Sequence, residues 1–239
     1  MIISHTNRFI FFKPLKTAGT SIEAFLSRSC SETDLLTGPM DTDNAESEPA
    51  YCERNNFDTN GLCRFHGHTY PDLLYKKTGS KWKSYYKISC VRNPWDLCVS
   101  YYWWSMWSSQ DHFKDLLVGK DDNYAEVIRK FKKFLLSPAT TPAISPDGPE
   151  SFKATVDFLS RESDRFSTDD IDFYIRFENI EKDMKYLCKS INIPDGDIPR
   201  FKSTQRKLPM HYTEYYDSIA KSIVDEKFKR YIEKFEYYF

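Results

Sequence analysis

Two short segments of the chain carry residue types that are suited to hold phosphate. Residues 13–21 read Lys-Pro-Leu-Lys-Thr-Ala-Gly-Thr-Ser, which offers cationic side chains, hydroxyls, consecutive backbone amides and a glycine that permits close approach. Further along the chain, Ser100 follows Arg92 by eight residues, about two turns of a helix. A guanidinium can make paired charge-assisted hydrogen bonds to a phosphate, and a hydroxyl adds one donor. Two such segments predict a ligand with phosphates at both ends of one nucleoside.

The first segment does not follow the Walker A order, because the GK[ST] sequence is absent. We also find no acidic residue after a strand, where a magnesium ligand would be expected. ATP with magnesium is therefore disfavoured. On loop composition alone, an ordinary capped turn with a solvated lysine is an equally good interpretation of this segment. The second segment favours phosphate binding.

A third group of residues could in principle bind zinc, because Cys52, Cys63, His66 and His68 supply four possible ligands. The first spacing is wide and the two histidines are only two residues apart, so the pattern favours no metal. The six cysteines include no CxxC pair, and a core of this size needs no disulfides. We therefore expect a reducing, cytoplasmic environment.

Alternating strand and helix patterns place these residues in a fold. Strands are predicted at 8–12, 85–91 and 172–177, and helices at about 20–27, 94–107, 125–136, 180–191 and 213–235. The pattern predicts a single α/β domain over residues 1–239, with a mainly parallel sheet covered by helices on both faces. In such sheets ligands bind beyond the carboxyl ends of the strands, which is where both phosphate segments lie.

Helix starts are also visible in the sequence. Thr20 followed by Glu23 is a capping-box pattern, and Asn93 with Pro94 supplies a cap and a first helical residue. Two long loops separate the elements. Residues 31–64 are rich in acidic and small polar side chains and are either a binding loop or disordered, whereas residues 137–150 are proline-rich.

The overall charge excludes some partners. Thirty-four basic and thirty-five acidic side chains give a net charge of −1, so no global field collects nucleic acid or anionic lipid. No apolar run approaches eighteen residues, and we see no secretory signal. We expect no nucleic-acid partner and no insertion into a membrane.

Taken together, the two phosphate segments resemble the nucleotide motifs of sulfotransferases that use 3′-phosphoadenosine-5′-phosphosulfate (PAPS). Residues 16–21 resemble their 5′-phosphosulfate loop, which is P-loop-like, and residues 91–96 with Ser100 and Tyr101 resemble their 3′-phosphate motif. Similarity extends to residues 174–183 and to the tail, and it is closest to the carbohydrate-type branch. The family usually has proline directly before the loop lysine, whereas here Leu15 precedes Lys16.

The resemblance implies a role for each matched residue. Lys16 would contact the bridging oxygen of the transferred group and so take part in catalysis, and Arg92 with Ser100 would hold the 3′-phosphate. The residues implied to bind the nucleotide are Lys16, Thr17, Ala18, Gly19, Thr20, Ser21, Arg92, Ser100 and Arg206. His68 matches the family's histidine upstream of the second strand and would be the general base, which leaves the role of His66 open. A structural alternative is that His68 only caps the helix that begins near Pro71.

The resemblance therefore implies a sulfotransferase that moves the sulfuryl group of PAPS to a hydroxyl of a glycan or small molecule, without a metal. The products are a sulfated acceptor and 3′-phosphoadenosine-5′-phosphate (PAP). Two alternatives remain: a P-loop-type kinase, and a non-catalytic module that binds a nucleotide or glycan. The aromatic run that includes Tyr101, Tyr102, Trp103, Trp104 and Trp107 could stack on sugar rings, but core packing is the more common role. The basic face at 129–133 could meet an anionic glycan or simply be solvated.

Overall fold

The computed structural model describes residues 1–38, 53–80, 82–108, 114–116, 118–119, 122–140, 151–201, 208 and 210–239. Within these residues the chain forms two compact units. The first unit contains Met1–Val91 and Arg165–Phe201, and the second contains Arg92–Asp164 and Lys202–Phe239. The expectation of one domain over the whole chain stays a prediction.

Short strands and longer helices alternate along the chain. The strands are β1 (Ile2–Ser4), β2 (Phe9–Phe11), β3 (Leu35–Leu36), β4 (Tyr86–Val91), β5 (Ala139–Thr140), β6 (Ser151–Phe152) and β7 (Phe173–Arg176). The helices are α1 (Gly19–Ser27), α2 (Pro71–Thr78), α3 (Pro94–Ser108), α4 (Tyr124–Leu136), α5 (Thr155–Phe166), α6 (Ile180–Ser190), α7 (Ser218–Lys227) and α8 (Lys229–Phe235). Single 3₁₀ turns occur at Lys114–Leu116, Phe177–Asn179 and Tyr212–Tyr215.

The first unit is built on a five-stranded sheet in the order β3-β1-β2-β4-β7. The strands β2, β4 and β7 run parallel to one another, and β1 pairs antiparallel with both β2 and β3. The sheet is therefore mixed, with a parallel part and an antiparallel edge. The three parallel strands are the three that the sequence predicts, and the α/β class is confirmed.

Alternation along β2 divides the apolar side chains between the two faces of this sheet. Phe9 and Phe11 pack with the buried residues of α1 and α6, including Ile22, Phe25 and Leu187. Ile10 and Phe12 pack instead with α2, Trp82 and Phe166. Helices therefore cover both faces of the sheet. The loops after β2 and β4 both begin at the carboxyl ends of parallel strands.

The second unit has a core of aromatic side chains. Tyr102 on α3 contacts Phe131 and Phe134 on α4, with ring centroids 5.5 and 5.2 Å apart. The Nε1–H of Trp103 donates to the hydroxyl of Tyr215 at 3.1 Å. Both Tyr102 and Trp103 are buried. Core packing is thus confirmed for these two members of the aromatic run.

The predicted single helix over 213–235 is wrong. The segment forms a 3₁₀ turn at Tyr212–Tyr215, then α7 and α8. The Asp217 carboxylate accepts the backbone N–H of Ala220 and so starts a new helix at Ser218. Phe228, with φ −95° and ψ 13°, separates α7 from α8. The buried side chains are Ala220 and Val224 on α7 and Tyr231 and Phe235 on α8, whereas Ile219 is exposed.

Both predicted long loops contain regular structure among their described residues. In the loop 31–64, β3 adds to the edge of the sheet, and bridges join Leu36 to Arg54 and Phe57 to Cys63. In the loop 137–150, β5 pairs with β6 just beyond it. Residues 39–52 and 141–150 lie outside the described residues.

Candidate active site

The loop between β2 and α1 has an unusual backbone. Lys16 (φ 57°) and Ala18 (φ 60°) both adopt the left-handed conformation, although neither is glycine. This backbone conformation costs a non-glycine residue about 1–3 kcal/mol, so it persists only where the surrounding structure enforces it. Such residues are found most often at functional sites. Ala18 occupies the N-cap position of α1 and gives no side-chain cap to the helix. The first amides of α1 therefore have no side-chain cap from the N-cap residue, an arrangement that is compatible with an anion at a helix N-terminus.

Gly19 is required by the side chain beneath it. A Cβ atom at this position would lie 2.4 Å from Cγ of Lys13, a distance that real Cβ contacts do not reach. Lys13 is only 3% exposed. The glycine in this loop therefore allows a buried lysine to pass directly under the first turn of α1.

Lys13 forms a buried ion pair with Glu23 on α1, in which Nζ lies 2.5 Å from Oε2. The amino group of Met1 contacts the other oxygen of Glu23. Burial opposes ionisation of this carboxyl, but the charge of Lys13 and the hydrogen bonds outweigh it and lower the pKa of Glu23 to about 2. The predicted capping box is therefore wrong. Glu23 points into the interior to pair with a cation, rather than back to the backbone of Thr20.

The same lysine holds His68. The Nδ1–H of His68 donates to the backbone carbonyl of Lys13 at 2.6 Å. This bond assigns the proton to Nδ1 and leaves the lone pair on Nε2, the tautomer that a general base needs. Burial, reinforced by the charge of Lys13, lowers the pKa of His68 to about 3. The imidazole is therefore neutral at physiological pH.

His66 supports the turn that presents His68. Its Nδ1 accepts the backbone N–H of His68 at 3.2 Å, and the two rings lie 6.0 Å apart. The hydroxyl of Thr69 closes the same turn by donating to the carbonyl of His66 at 2.7 Å. Burial and the charge of Lys13 lower the pKa of His66 as well. The structure thus brings together both histidines and the lysine loop in the first unit.

The zinc alternative finds no support among the described residues, where no three histidine, cysteine or acidic side chains gather to hold a metal. Cys63 is exposed, and its Sγ lies 3.8 Å from a carboxylate oxygen of Glu53. Cys52 lies outside the described residues.

Within the loop, the predicted hydroxyl ligands differ in what they contact. Thr17 is 1% exposed, and its hydroxyl donates to the carbonyl of Pro14 at 3.2 Å, so it shapes the loop from inside. Ser21 accepts the backbone N–H of Phe201 at 3.2 Å. Thr20 on the first turn of α1 is only partly buried.

In the second unit, Arg92 directly follows β4. Its Nε and Nη2 both donate to Oδ2 of Asp96, at 2.8 and 2.7 Å, and its backbone N–H donates to the hydroxyl of Tyr231. The predicted cap is confirmed, because Oδ1 of Asn93 accepts the backbone N–H groups of Trp95 and Asp96. Ser100 lies partly buried on α3. The predicted phosphate-binding arginine thus already has a carboxylate partner, which sequence reasoning did not foresee.

Two further predicted features are the late basic residue Arg206 and the basic face of α4. Arg206 lies outside the described residues. The basic face of α4 is largely neutralised, because Arg129, Lys130 and Lys132 pair with Glu126, Asp122 and Asp217 respectively. This pairing favours a structural role for that face.

Sequence reasoning missed the buried ion pair of Lys13 with Glu23. A signal was available, because Lys13 directly extends the buried run of β2, and Glu23 lies between the apolar residues Ile22 and Ala24 on α1. A charged side chain in an apolar stretch is almost never buried unless it is paired.

Comparison with known proteins places the chain in a class. A family model described as the sulfotransferase family matches residues 1–239. The chain therefore belongs to the sulfotransferase family, and the predicted family and enzyme class are confirmed.

Among solved structures, the mouse sulfotransferase SULT7A1, crystallised in complex with PAP, is similar to this chain. The two are 13% identical with a TM-score of 0.46, and the alignment covers 98% of this chain and 87% of that one. Curated proteins gave no match. Among the described residues, no helix has both the length and the apolar character that crossing a bilayer requires.

Proposed function

We propose that this sulfotransferase transfers the sulfuryl group of PAPS to a hydroxyl of a carbohydrate, with His68 as the general base. The observation that carries the proposal is the bond from Nδ1–H of His68 to the carbonyl of Lys13, which leaves Nε2 as the acceptor of a proton. The same residue, Lys13, lies directly under the loop that would hold the donor nucleotide.

The loop residues fit a phosphate-bearing nucleotide. Two left-handed residues turn the backbone of the loop, and the helix N-terminus favours an anion. Lys13 pairs with Glu23 under the loop, and it is the resemblance to the family's phosphosulfate loop that leads us to assign Lys16 to the ligand. The residues we propose for the 5′ side are Lys16, Thr17, Ala18, Gly19, Thr20 and Ser21.

For the 3′-phosphate we propose Arg92 and Ser100, and for closure over the nucleotide Arg206. Asp96 would hold the guanidinium of Arg92 in one orientation, since both donor groups meet a single carboxylate oxygen. A pre-oriented arginine loses less entropy when it binds a phosphate.

When bound, PAPS supplies the sulfuryl group, whose bond to the 5′-phosphate breaks as the acceptor oxygen attacks sulfur. Nε2 of His68 takes the proton of the acceptor hydroxyl, while the bond at Nδ1 keeps the ring in orientation. Lys16 and the loop amides offset the negative charge that develops on the departing phosphate. No metal is needed for these roles.

The pKa of His68 adds a condition to this scheme. In the free protein the charge of Lys13 disfavours the imidazolium. An anionic nucleotide at the loop would oppose that charge, so we expect the pKa of His68 to rise when the nucleotide binds. The base would then be strongest when the donor is in place.

Support for the finer parts of the proposal comes from the sequence. The carbohydrate acceptor rests on the resemblance to the carbohydrate-type branch. The cytoplasmic location rests on cysteine usage, and the five described cysteines, Cys30, Cys63, Cys90, Cys98 and Cys188, are all free.

The test is transfer of labelled sulfuryl from PAPS to a panel of saccharides, with and without a metal chelator. We expect turnover that is insensitive to the chelator. His68→Ala should lower kcat by about a hundredfold or more and leave the affinity for PAP nearly unchanged, because the base acts on the acceptor.

His66→Ala is the matched control. It should cost much less turnover, since His66 only supports the backbone of the turn. Equal losses in the two variants, or a loss of PAP affinity in His68→Ala, would contradict the assignment of His68 as the base.

A further inference from the structure

A cavity of about 610 Å³ lies in the first unit, away from the lysine loop. Its size falls within the range of sites for small ligands. The side chains that line it come from the start of the chain, the segment around β3 and the region of α2. They are His5, Thr33, Leu35, Asn55, Arg64, Phe65, Lys77, Thr78 and Trp82.

The cavity and the proposed nucleotide loop lie at opposite ends of the parallel strands. His5 directly follows Ser4, which pairs with Phe9 at the amino end of β2. Trp82 lies four residues before Tyr86, the first residue of β4. The lysine loop instead follows the carboxyl end of β2. Because β2 has three residues, its two ends are about 10 Å apart, and the cavity-lining Phe65 lies three residues before His68 in the chain.

The floor of the cavity is apolar and aromatic. Leu35, Phe65 and Trp82 are all buried, with exposures of 5%, 7% and 9%. The ring of His5 lies 5.8 Å from that of Trp82 and extends the aromatic wall. The exposed edges of these rings, together with the ring of His5, are what the apolar face of a sugar ring could contact.

The rim carries positive charge. Arg64 and Lys77 line the cavity, and none of its lining residues is acidic. Lys77 is anchored there, because its Nζ donates to the carbonyl of Arg64 at 2.7 Å and lies 5.5 Å from the ring of Phe65. The lining therefore has a formal charge of +2 in a chain whose net charge is −1.

The rim also offers groups that match hydroxyls. Both amide hydrogens of Asn55 are used, since its Nδ2 donates to the carbonyls of Glu32 and Asp34 at 2.6 and 2.9 Å. The side-chain oxygen of Asn55 is thus presented as an acceptor. The hydroxyl of Thr78 donates to the carbonyl of Leu74 at 2.8 Å, so it can only accept a further hydrogen bond, and that of Thr33 pairs with the hydroxyl of Ser31 at 2.9 Å.

We propose that this cavity binds an anionic saccharide, with a sugar ring on the aromatic floor and a carboxylate or sulfate between Arg64 and Lys77. Hydroxyls of the sugar would pair with Asn55 and the two threonines. The site lies at the amino ends of the parallel strands, whereas the nucleotide loop follows the carboxyl end of β2. A saccharide bound in the cavity is therefore held apart from the reacting atoms. The inference stands on the cavity alone and goes beyond the proposed function.

Calorimetric titration of the full chain with three tetrasaccharides tests the proposal. The probes are chondroitin 4-sulfate, which carries sulfate and carboxylate, desulfated chondroitin, which carries carboxylate only, and chitotetraose, which is neutral. Saturating PAP is present, so that probe anions do not bind at the nucleotide loop. We expect the two anionic probes to bind at least about tenfold more tightly than the neutral one.

Arg64→Glu should weaken binding of both anionic probes by about tenfold or more, and Arg64→Lys should restore most of it. The matched control is Lys76→Glu, which makes the same charge change at an exposed position of α2 outside the cavity and should change affinity less than about twofold. Equal effects of Arg64→Glu and Lys76→Glu, equal binding of the neutral probe, or no binding would overturn the proposal. PAP titration of each variant is measured separately, so a failure of the nucleotide site is distinguished from a failure of this one.

Discussion

His68 and Lys13 interact in two opposing ways. The carbonyl of Lys13 accepts the Nδ1 proton, and this bond raises the pKa of His68, while the charge of the Lys13 ammonium group lowers it. Glu23 balances part of that charge through its ion pair with Lys13. Burial of the ring and the charge of Lys13 thus do most to set the protonation state of this imidazole.

The first prediction concerns the pH dependence of stability. The pKa of His68 is about 3 in the folded chain and 6.5 ordinarily, so below pH 6.5 the unfolded chain binds a proton that the native chain does not. Stability is therefore lost as the pH falls from 6.5 towards 3. His68→Gln removes this contribution. Urea unfolding between pH 7 and 4.5 should show a slope shallower by up to about 1.4 kcal/mol per pH unit in the variant.

Parallel curves for His68→Gln and the native sequence would show that His68 titrates normally. Carbon-bound proton signals of the imidazole give a second measurement. In the free protein they should not shift between pH 5 and 8, and addition of PAP should move the titration upward.

The second prediction concerns Arg92. Its partner Asp96 is 13% exposed, so Arg92→Ala would leave a mostly buried carboxylate without this partner. That change would lower stability, and its effect on PAP affinity would be difficult to separate from the loss of stability. Arg92→Lys keeps the charge but removes the paired donor geometry. We expect the affinity for PAP to fall by about tenfold and that for adenosine monophosphate to stay within about twofold. Equal losses for both nucleotides would contradict a role at the 3′-phosphate.

At the scale of elements, the start of α1 depends on the side chain below it. Helices commonly begin with a side-chain cap, and the Thr20 and Glu23 pattern fits one. In the structure, burial of Lys13 recruits Glu23 to the interior, and the helix begins without that cap. A buried charge requires a partner more strongly than an exposed helix end requires a cap.

The third prediction follows from this arrangement. Gly19→Ala would place a Cβ 2.4 Å from Cγ of Lys13, so it should destabilise the protein by about 1–3 kcal/mol, although alanine favours helix formation. It should also weaken PAP binding, because the loop must move. Gly196→Ala is the control, since its nearest heavy atom would be 3.8 Å away. Denaturant unfolding and PAP titration measure both effects. A Gly19→Ala protein as stable as Gly196→Ala would contradict the close packing.

At the scale of the whole molecule, the proposed function assigns the two phosphates of one nucleotide to residues that lie far apart in the sequence. Lys16 and Arg92 are 76 residues apart, and each follows a different strand of the parallel part of the sheet. A ligand that uses both sets should stabilise the folded chain more than one that uses a single set.

The fourth prediction is that PAP raises the free energy of unfolding by about 2.7 kcal/mol at a hundredfold excess over its Kd. Adenosine monophosphate at the same concentration should do less, because it has no 3′-phosphate for Arg92 and Ser100. Differential scanning calorimetry measures both shifts. Equal shifts for the two nucleotides would contradict the use of two phosphate sites.

Local patterns in the sequence determined the parallel strands, most helix positions and the family. The run that became β2 is apolar because this strand is covered on both faces, and that requirement is readable from composition. The two phosphate motifs are equally local, since each spans one strand end and the turn after it.

Only the tertiary structure decided which charges meet. Lys13 and Glu23 are ten residues apart, and His68 is fifty-five residues from Lys13. The sequence shows these side chains. It does not show that they are buried in contact with one another, so that the charge of one affects the protonation of the next, because burial depends on how distant segments pack. The edge strands β1 and β3 and the break between α7 and α8 were decided in the same way. Long-range pairing and packing override local preference, because the free energy of burying apolar area exceeds that of local propensity.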